Sequence, residues 1–296
     1  MANVLIERPT LLSIANAIRN KNQSTVSYTV GQMASAINAF EKTGFSLDDV
    51  AVGNITGNLS GSATSIASFA FTANSSITGV SFPSCVSVYN SAFSDCRNIT
   101  NVSLPMCTLI SWGAFSYCLS LTSIYAPKCI SIGSAAFYNC SLNLTSVNFP
   151  SCTSVWNAAF QNCYKLSSVN IPLLDHVGTY AFASCHSLSY VSFPVLKSMS
   201  GWAFYRCSNI SRIDIPQCSI IGQSAFTSCY NLISLYLNGV SSVVSLGTSA
   251  FVSTPIDGYT TSTGGVYGSV FVPTSLLTSF KTATNWAAIS DRIVGV

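Results

Sequence analysis

Leu121-Thr-Ser-Ile-Tyr-Ala-Pro-Lys-Cys-Ile-Ser-Ile-Gly-Ser-Ala-Ala-Phe-Tyr-Asn-Cys140 is one unit of a pattern that fills most of this 296-residue chain. Its Phe137 stands three residues before Cys140. The same pair recurs as Phe93/Cys96, Phe115/Cys118, Phe160/Cys163, Phe182/Cys185, Phe204/Cys207 and Phe226/Cys229. Consecutive phenylalanines lie 22 residues apart, with a single gap of 23 between Phe137 and Phe160. Fixed self-similarity at this period means a solenoid, in which each repeat buries its apolar face only against its neighbours. A solenoid presents a long ribbon of surface, so binding is the default role and catalysis needs separate support.

The prolines keep the same beat, at Pro83, Pro105, Pro127, Pro150, Pro172, Pro194 and Pro216. Before each lies a short alternating run, such as Val102-Ser-Leu104, Val147-Asn-Phe149 and Ile213-Asp-Ile215. Alternation of period two is a strand with one face buried, and proline, which cannot donate to a ladder, ends it. A second apolar position follows at Val88, Ile110, Ile132, Val155, Val177, Met199 and Ile221. The Ala-Phe pair then begins the turn into the next repeat. Stacked copies are predicted to form parallel ladders about 4.8 Å apart.

These residues, Leu-x-x-Val-x-Phe-Pro followed by Ala-Phe-x-x-Cys-x-x-Leu, resemble the BspA-like leucine-rich repeats over about residues 62–252. The resemblance implies a leucine-rich repeat solenoid of 22-residue repeats, found on surface proteins of bacteria, their phages and some protists. It says little about the ligand, because function sits in sites grafted onto folds. The expected organisation is a helical attachment or capping module at 1–43, a linker and N-terminal cap at 44–61, the solenoid at 62–252 and a C-terminal cap at 253–296.

Composition agrees with that reading. The chain is 49% hydrophobic and only 7% charged. No apolar run approaches the roughly 18 residues a spanning helix needs, so no membrane span is expected. The net charge of +3 forms no stripe, which argues against nucleic acid. All 12 cysteines fall on repeat positions, either three after Phe or two after Pro. Leu174 and Leu196 occupy the second register, which an apolar site tolerates and a disulfide does not. The thiols are therefore expected to be buried and reduced. No Cys-x-x-Cys pair occurs and neither His176 nor His186 sits in a ligand cluster, so no metal and no cofactor are expected. The start, MANVLIERPTLLSIANAIRN, has no secretion signal pattern, which fits folding in a reducing cytosol.

Terminal repeats of a stack must be atypical. Leu12, Ile14 and Ile18, then Met33, Ile37 and Phe40, have helical spacing and predict two short amphipathic helices. This segment resembles an N-terminal helical module of phage and prophage tail-associated proteins. The resemblance implies attachment to other virion proteins, a virion location and, as the alternative, a bacterial cell surface. At the other end Val270-Phe-Val-Pro273 reads as a last strand, followed by a closing helix with Leu276, Leu277, Phe280 and Trp286.

Candidate binding residues come from the outward positions. On the strand face Tyr125, Tyr190, Arg212, Asp214 and Tyr236 concentrate toward the C-terminal half. Beside the turn lies a variable aromatic set, Trp112, Trp156, Trp202, Tyr180 and Tyr205. Tyr, Trp, Ser and Asn with little charge is the chemistry of a paratope. The expected partner is a host-surface protein or a glycan, with homo-oligomerisation on a particle left open. Catalysis finds no support. Both glutamates, Glu7 and Glu41, lie outside the repeats, and Asp175-His176 lacks a nucleophile elbow. The sequence therefore reads as a non-enzymatic binding protein, either virion-associated, a BspA-like surface adhesin, or a structural virion component without receptor activity.

Overall fold

The computed structural model describes residues 57–260 and 264–296. The helical module and its residues Leu12, Ile14, Ile18, Met33, Ile37 and Phe40 lie outside the described residues. The described residues form a coil repeated along one axis. Each coil contributes a three-residue strand such as Ser123–Tyr125 and a two-residue strand such as Ser131–Ile132. Strands of one kind pair in parallel with their counterparts in the next coil, in register: Val102 opposite Ile124, Ile110 opposite Ile132.

Strands such as Ser123–Tyr125 and Ser146–Asn148 bury their central side chain and expose the flanking two, as alternation demands. Each coil then sends Pro+2, the second apolar residue, Ala, Phe, Cys and Leu inward. In the quoted unit these are Cys129, Ile132, Ala136, Phe137 and Cys140, all fully buried, with Leu144 following. The phenylalanines form one stack from Phe71 through Phe93, Phe115, Phe137, Phe160, Phe182, Phe204 and Phe226 to Phe251. Centroid spacings in that stack run from 5.1 Å (Phe71–Phe93) to 6.1 Å (Phe204–Phe226).

The turn around each Phe is itself a ladder rather than a simple return to the next strand. Ser91 N–H donates to Trp112 O at 2.8 Å, Phe93 N–H to Ala114 O at 2.8 Å and Asp95 N–H to Ser116 O at 2.7 Å. Two left-handed residues bracket the Phe in every coil, for example Ser91 (φ 51°) and Asp95 (φ 60°). This conformation costs a non-glycine residue about 1–2 kcal/mol. Inter-coil hydrogen bonds on both sides hold it in place.

The two-residue strands form one uninterrupted nine-stranded sheet. The three-residue strands do not. They split into a four-stranded sheet ending at Ser123–Tyr125, a two-stranded sheet of Ser146–Asn148 and Ser168–Asn170, and a five-stranded sheet beginning at Tyr190–Ser192. The first break coincides with the 23-residue step between Phe137 and Phe160. Cys118-Leu-Ser-Leu121 becomes Cys140-Ser-Leu-Asn-Leu144, and the extra residue falls directly before Ser146–Asn148.

The C-terminal end departs from expectation. The strand Ser269–Val272 is not the last one. A short helix, Leu277–Thr282, and a 3-10 segment, Ala287–Arg292, return the chain to a final parallel strand, Ile293–Gly295. Trp286 lies beyond the helix and is fully buried. It sits 6.0 Å from Phe251, edge-on to Phe280 at 5.1 Å, and donates Nε1–H to Val244 O at 2.7 Å. The residue thus terminates the phenylalanine stack.

Candidate functional site

Register pairing arranges the strand-face side chains in two columns along the solenoid axis. Tyr190 stands opposite Arg212, and Arg212 opposite Ser234. Ser192 stands opposite Asp214, Asp214 opposite Tyr236, and Tyr236 opposite Phe271. Four of the five strand-face candidates therefore meet. Arg212 forms a two-pronged pair with Asp214, Nε to Oδ1 and Nη2 to Oδ2, both at 2.8 Å. Tyr190 Oη–H donates to Asp214 Oδ2 at 3.0 Å. The Arg212 guanidinium lies 4.2 Å from the Tyr236 ring centroid and 5.8 Å from that of Tyr190. Tyr236 then stacks on Phe271 at 4.4 Å.

Tyr190, Arg212, Tyr236 and Phe271 thus form a ridge of planar groups on successive coils. Hydrogen bonding to Asp214 raises the Arg212 pKa above its ordinary value, so the guanidinium stays charged. Its charge is matched within the ridge. The faces of Tyr236 are taken up by Arg212 and Phe271, so that ring offers an edge and a hydroxyl rather than a platform. Phe271 was missed by the sequence reading because it belongs to the cap, where the repeat spacing has lapsed.

Tyr125 stands apart. It is 59% exposed, the most open tyrosine on the molecule's strand face. Between it and Tyr190 lie the outward residues Ser146, Asn148, Ser168 and Asn170 of the two-stranded sheet. Asn170 Nδ2–H donates to Asn148 Oδ1 at 2.8 Å, which fixes both amides along the axis. Neither asparagine was singled out from sequence, although both occupy the outward positions of Val-Asn-Phe and Val-Asn-Ile.

The variable aromatic set does not form one surface. Counting back from the buried Phe, Trp156 is four residues away, Trp112 three, and Tyr180 and Trp202 two. Trp112 and Trp156 are exposed. Trp156 Nε1–H donates to Ser131 Oγ at 3.0 Å, and its ring lies 5.5 Å from His176. Tyr180 and Trp202 are half-buried left-handed residues stacked on each other at 5.3 Å. Tyr205 is half-buried, with Arg206 over its ring at 5.2 Å. Free ring surface is therefore expected at Trp112 and Trp156 rather than at Tyr180, Trp202 and Tyr205.

The cysteines carry no visible chemistry at the surface. All twelve are buried and unbridged. The Phe-linked thiols form a ladder of their own: Cys118 Sγ–H donates to Phe93 O at 3.2 Å, Cys140 to Phe115 O at 3.2 Å and Cys207 to Phe182 O at 3.0 Å. The Pro-linked thiols donate within their coil, Cys107 to Leu109 O at 3.2 Å. Burial pushes Cys96, Cys163 and Cys207 up to about 12 and Cys107, Cys152 and Cys218 up to about 11. These are protonated, unreactive sulfurs. Among the described residues, no group of three or more His, Cys, Asp or Glu is placed to hold a metal, and no helix is long and apolar enough to cross a membrane.

Comparison with known proteins follows the fold. The family model for BspA type leucine rich repeat regions matches residues 51–167 and 153–278. A crystal structure of a leucine-rich repeat protein from Bacteroides ovatus is similar with a TM-score of 0.56 and 19% identity, covering 71% of this chain and 59% of that one. This chain therefore spans about three fifths of the length of that relative. The leucine-rich repeat protein of T. pallidum gives a TM-score of 0.44 at 22% identity, covering 73% and 86% of the two chains. A leucine-rich cell surface protein from Faecalibacterium prausnitzii gives 0.34 at 18% identity, covering 77% and 76%. A comparison with curated proteins returns no match. None of these comparisons supports the phage-tail resemblance of the first 43 residues.

Proposed function

Because the chain belongs to the BspA-type leucine-rich repeat family and carries a pre-stacked aromatic ridge on its strand face, we propose that it is a non-enzymatic binding protein of the surface-adhesin kind. The observation that carries this is the ridge. Tyr190, Arg212, Asp214 and Tyr236 are held by each other before any ligand arrives. Side chains already ordered in the free protein lose little entropy on binding, which is how a few aromatic and arginine residues dominate an interface. Display of several copies on one surface would turn weak single contacts into firm attachment.

The virion reading rests chiefly on the N-terminal segment, and the surface-adhesin reading fits the family better. The test is saturable binding of the full chain to a panel of bacterial and animal cells, compared with a variant carrying Tyr125→Ala, Tyr190→Ala, Arg212→Ala and Tyr236→Ala. Binding that this variant loses supports the reading. Equal binding by both proteins removes the strand face from the function, and no binding to any cell removes adhesion.

A further inference from the structure

We propose that the floor between Tyr125 and Tyr190 is a saccharide site, and that its ligand is a short segment of an uncharged glycan lying along the solenoid axis. This rests on the strand-face reading above and names the ligand class for it. The floor spans three coil steps, about 14 Å at about 4.8 Å each, roughly the length of a trisaccharide. It coincides with the two-stranded sheet of Ser146–Asn148 and Ser168–Asn170, the one part of this face where ladder pairing lapses on both sides.

Its chemistry is matched to sugars. Asn170 spends one amide hydrogen on Asn148 Oδ1. That leaves Asn148 Nδ2 as a donor and Asn170 Oδ1 as an acceptor, on two exposed residues. Neighbouring hydroxyls of a pyranose, each donor and acceptor, can satisfy such a pair together. Tyr125 supplies an open ring at one end, on which the C–H face of a sugar can lie. Tyr190, nearly half exposed and tied to Asp214, closes the other end.

Charge selects among glycans. Along the outward strand positions from Gly79 to Tyr236 the charged side chains are Arg212 and Asp214, and they neutralise each other. Nothing on this floor offsets a carboxylate or sulfate. An anionic glycan or a nucleic acid would bury its charge here without a partner. A protein epitope needs a larger desolvated anchor than serine and asparagine provide.

The probe is an array of immobilised neutral oligosaccharides, dimers through hexamers of glucose, galactose, mannose and N-acetylglucosamine, with sialylated and sulfated glycans alongside. The full chain is expected to bind at least one neutral series with affinity rising from dimer to trimer and then levelling. Tyr125→Ala and the pair Asn148→Ala with Asn170→Ala should each weaken binding by about tenfold or more with unchanged melting temperature. Tyr125→Phe should bind like the parent, and so should Trp112→Ala, on the other side of the coil. Preference for the anionic glycans, or a bound neutral series indifferent to these substitutions, overturns the proposal. Cell binding that survives periodate oxidation of the cell surface also overturns it while leaving adhesion standing. Absence of both array and cell binding overturns both readings.

Discussion

Asp214 holds two neighbours at once, accepting from Arg212 through both oxygens and from Tyr190 through one. Pairs of this kind, with the guanidinium open to solvent, add little stability. Asp214→Asn is therefore expected to leave the urea midpoint nearly unchanged while freeing Arg212, and to weaken cell binding several-fold. A variant that binds like the parent would show that the pairing of the ridge is immaterial. The thiols make the opposite case, buried and without surface role. Their ordinary value is 9.0, and burial raises Cys107 to about 11 and Cys96 to about 12. A raised folded pKa gives stability that is complete below the unfolded value and is lost as pH climbs through the folded one. Unfolding midpoints should thus fall between about pH 9 and pH 12, while below about pH 8 the thiol contribution is complete and does not vary with pH. A thiol reagent at neutral pH should label the native chain negligibly and all 12 cysteines after denaturation. Rapid labelling of the native protein would contradict the buried ladder.

The repeating element is the coil, and its Phe is the part most sensitive to change. Phe137 is fully buried between Phe115 and Phe160, at 5.7 and 5.2 Å. Phe137→Ala should cost about 3–5 kcal/mol, read from chemical unfolding. A cost below about 1 kcal/mol would mean the stack is not what the coils pack on. Gly178 adds a backbone constraint: a Cβ there would lie 2.6 Å from the carbonyl carbon of Trp156 in the preceding coil. Gly178→Ala should destabilise without altering the exposed face. The coil is also the scale at which the sequence was most legible. Phe, Pro and Cys recur because each has a fixed inward place, so strand, core and register could be read from spacing. The turn ladder was not legible, since its left-handed positions accept Ser, Ala, Tyr and Trp alike and leave no residue signature. The different settings of Trp112, Trp156, Tyr180 and Trp202 leave no signature for the same reason. A shift of one or two residues within that turn changes an open ring into one stacked on its neighbour.

Over the whole molecule, the sequence placed the outward strand residues but not the contacts that organise them. Tyr190, Arg212, Asp214 and Tyr236 were found as outward residues. Their union into a ridge depends on in-register stacking of successive coils, and Phe271 joins it from a cap outside the repeat. Closure of the stack is another property of the whole chain. Trp286 reaches back 42 residues to Val244 O and covers Phe251. Trp286→Ala should lower stability by about 3–5 kcal/mol and fray the C-terminal coils first, seen as faster hydrogen exchange there than around Phe137. Uniform exchange along the solenoid would contradict a capping role.

The most direct measurement compares binding isotherms on one responsive cell type for two variants that each remove three aromatic rings. One replaces Tyr125, Tyr190 and Tyr236 by Ala on the strand face, and the other replaces Trp112, Trp156 and Tyr164, an exposed ring directly after Cys163. Loss of binding in the first with at most a twofold change in the second is the expected result. Retention in the first and loss in the second would place the function on the turn side of the coil and contradict the strand-face assignment.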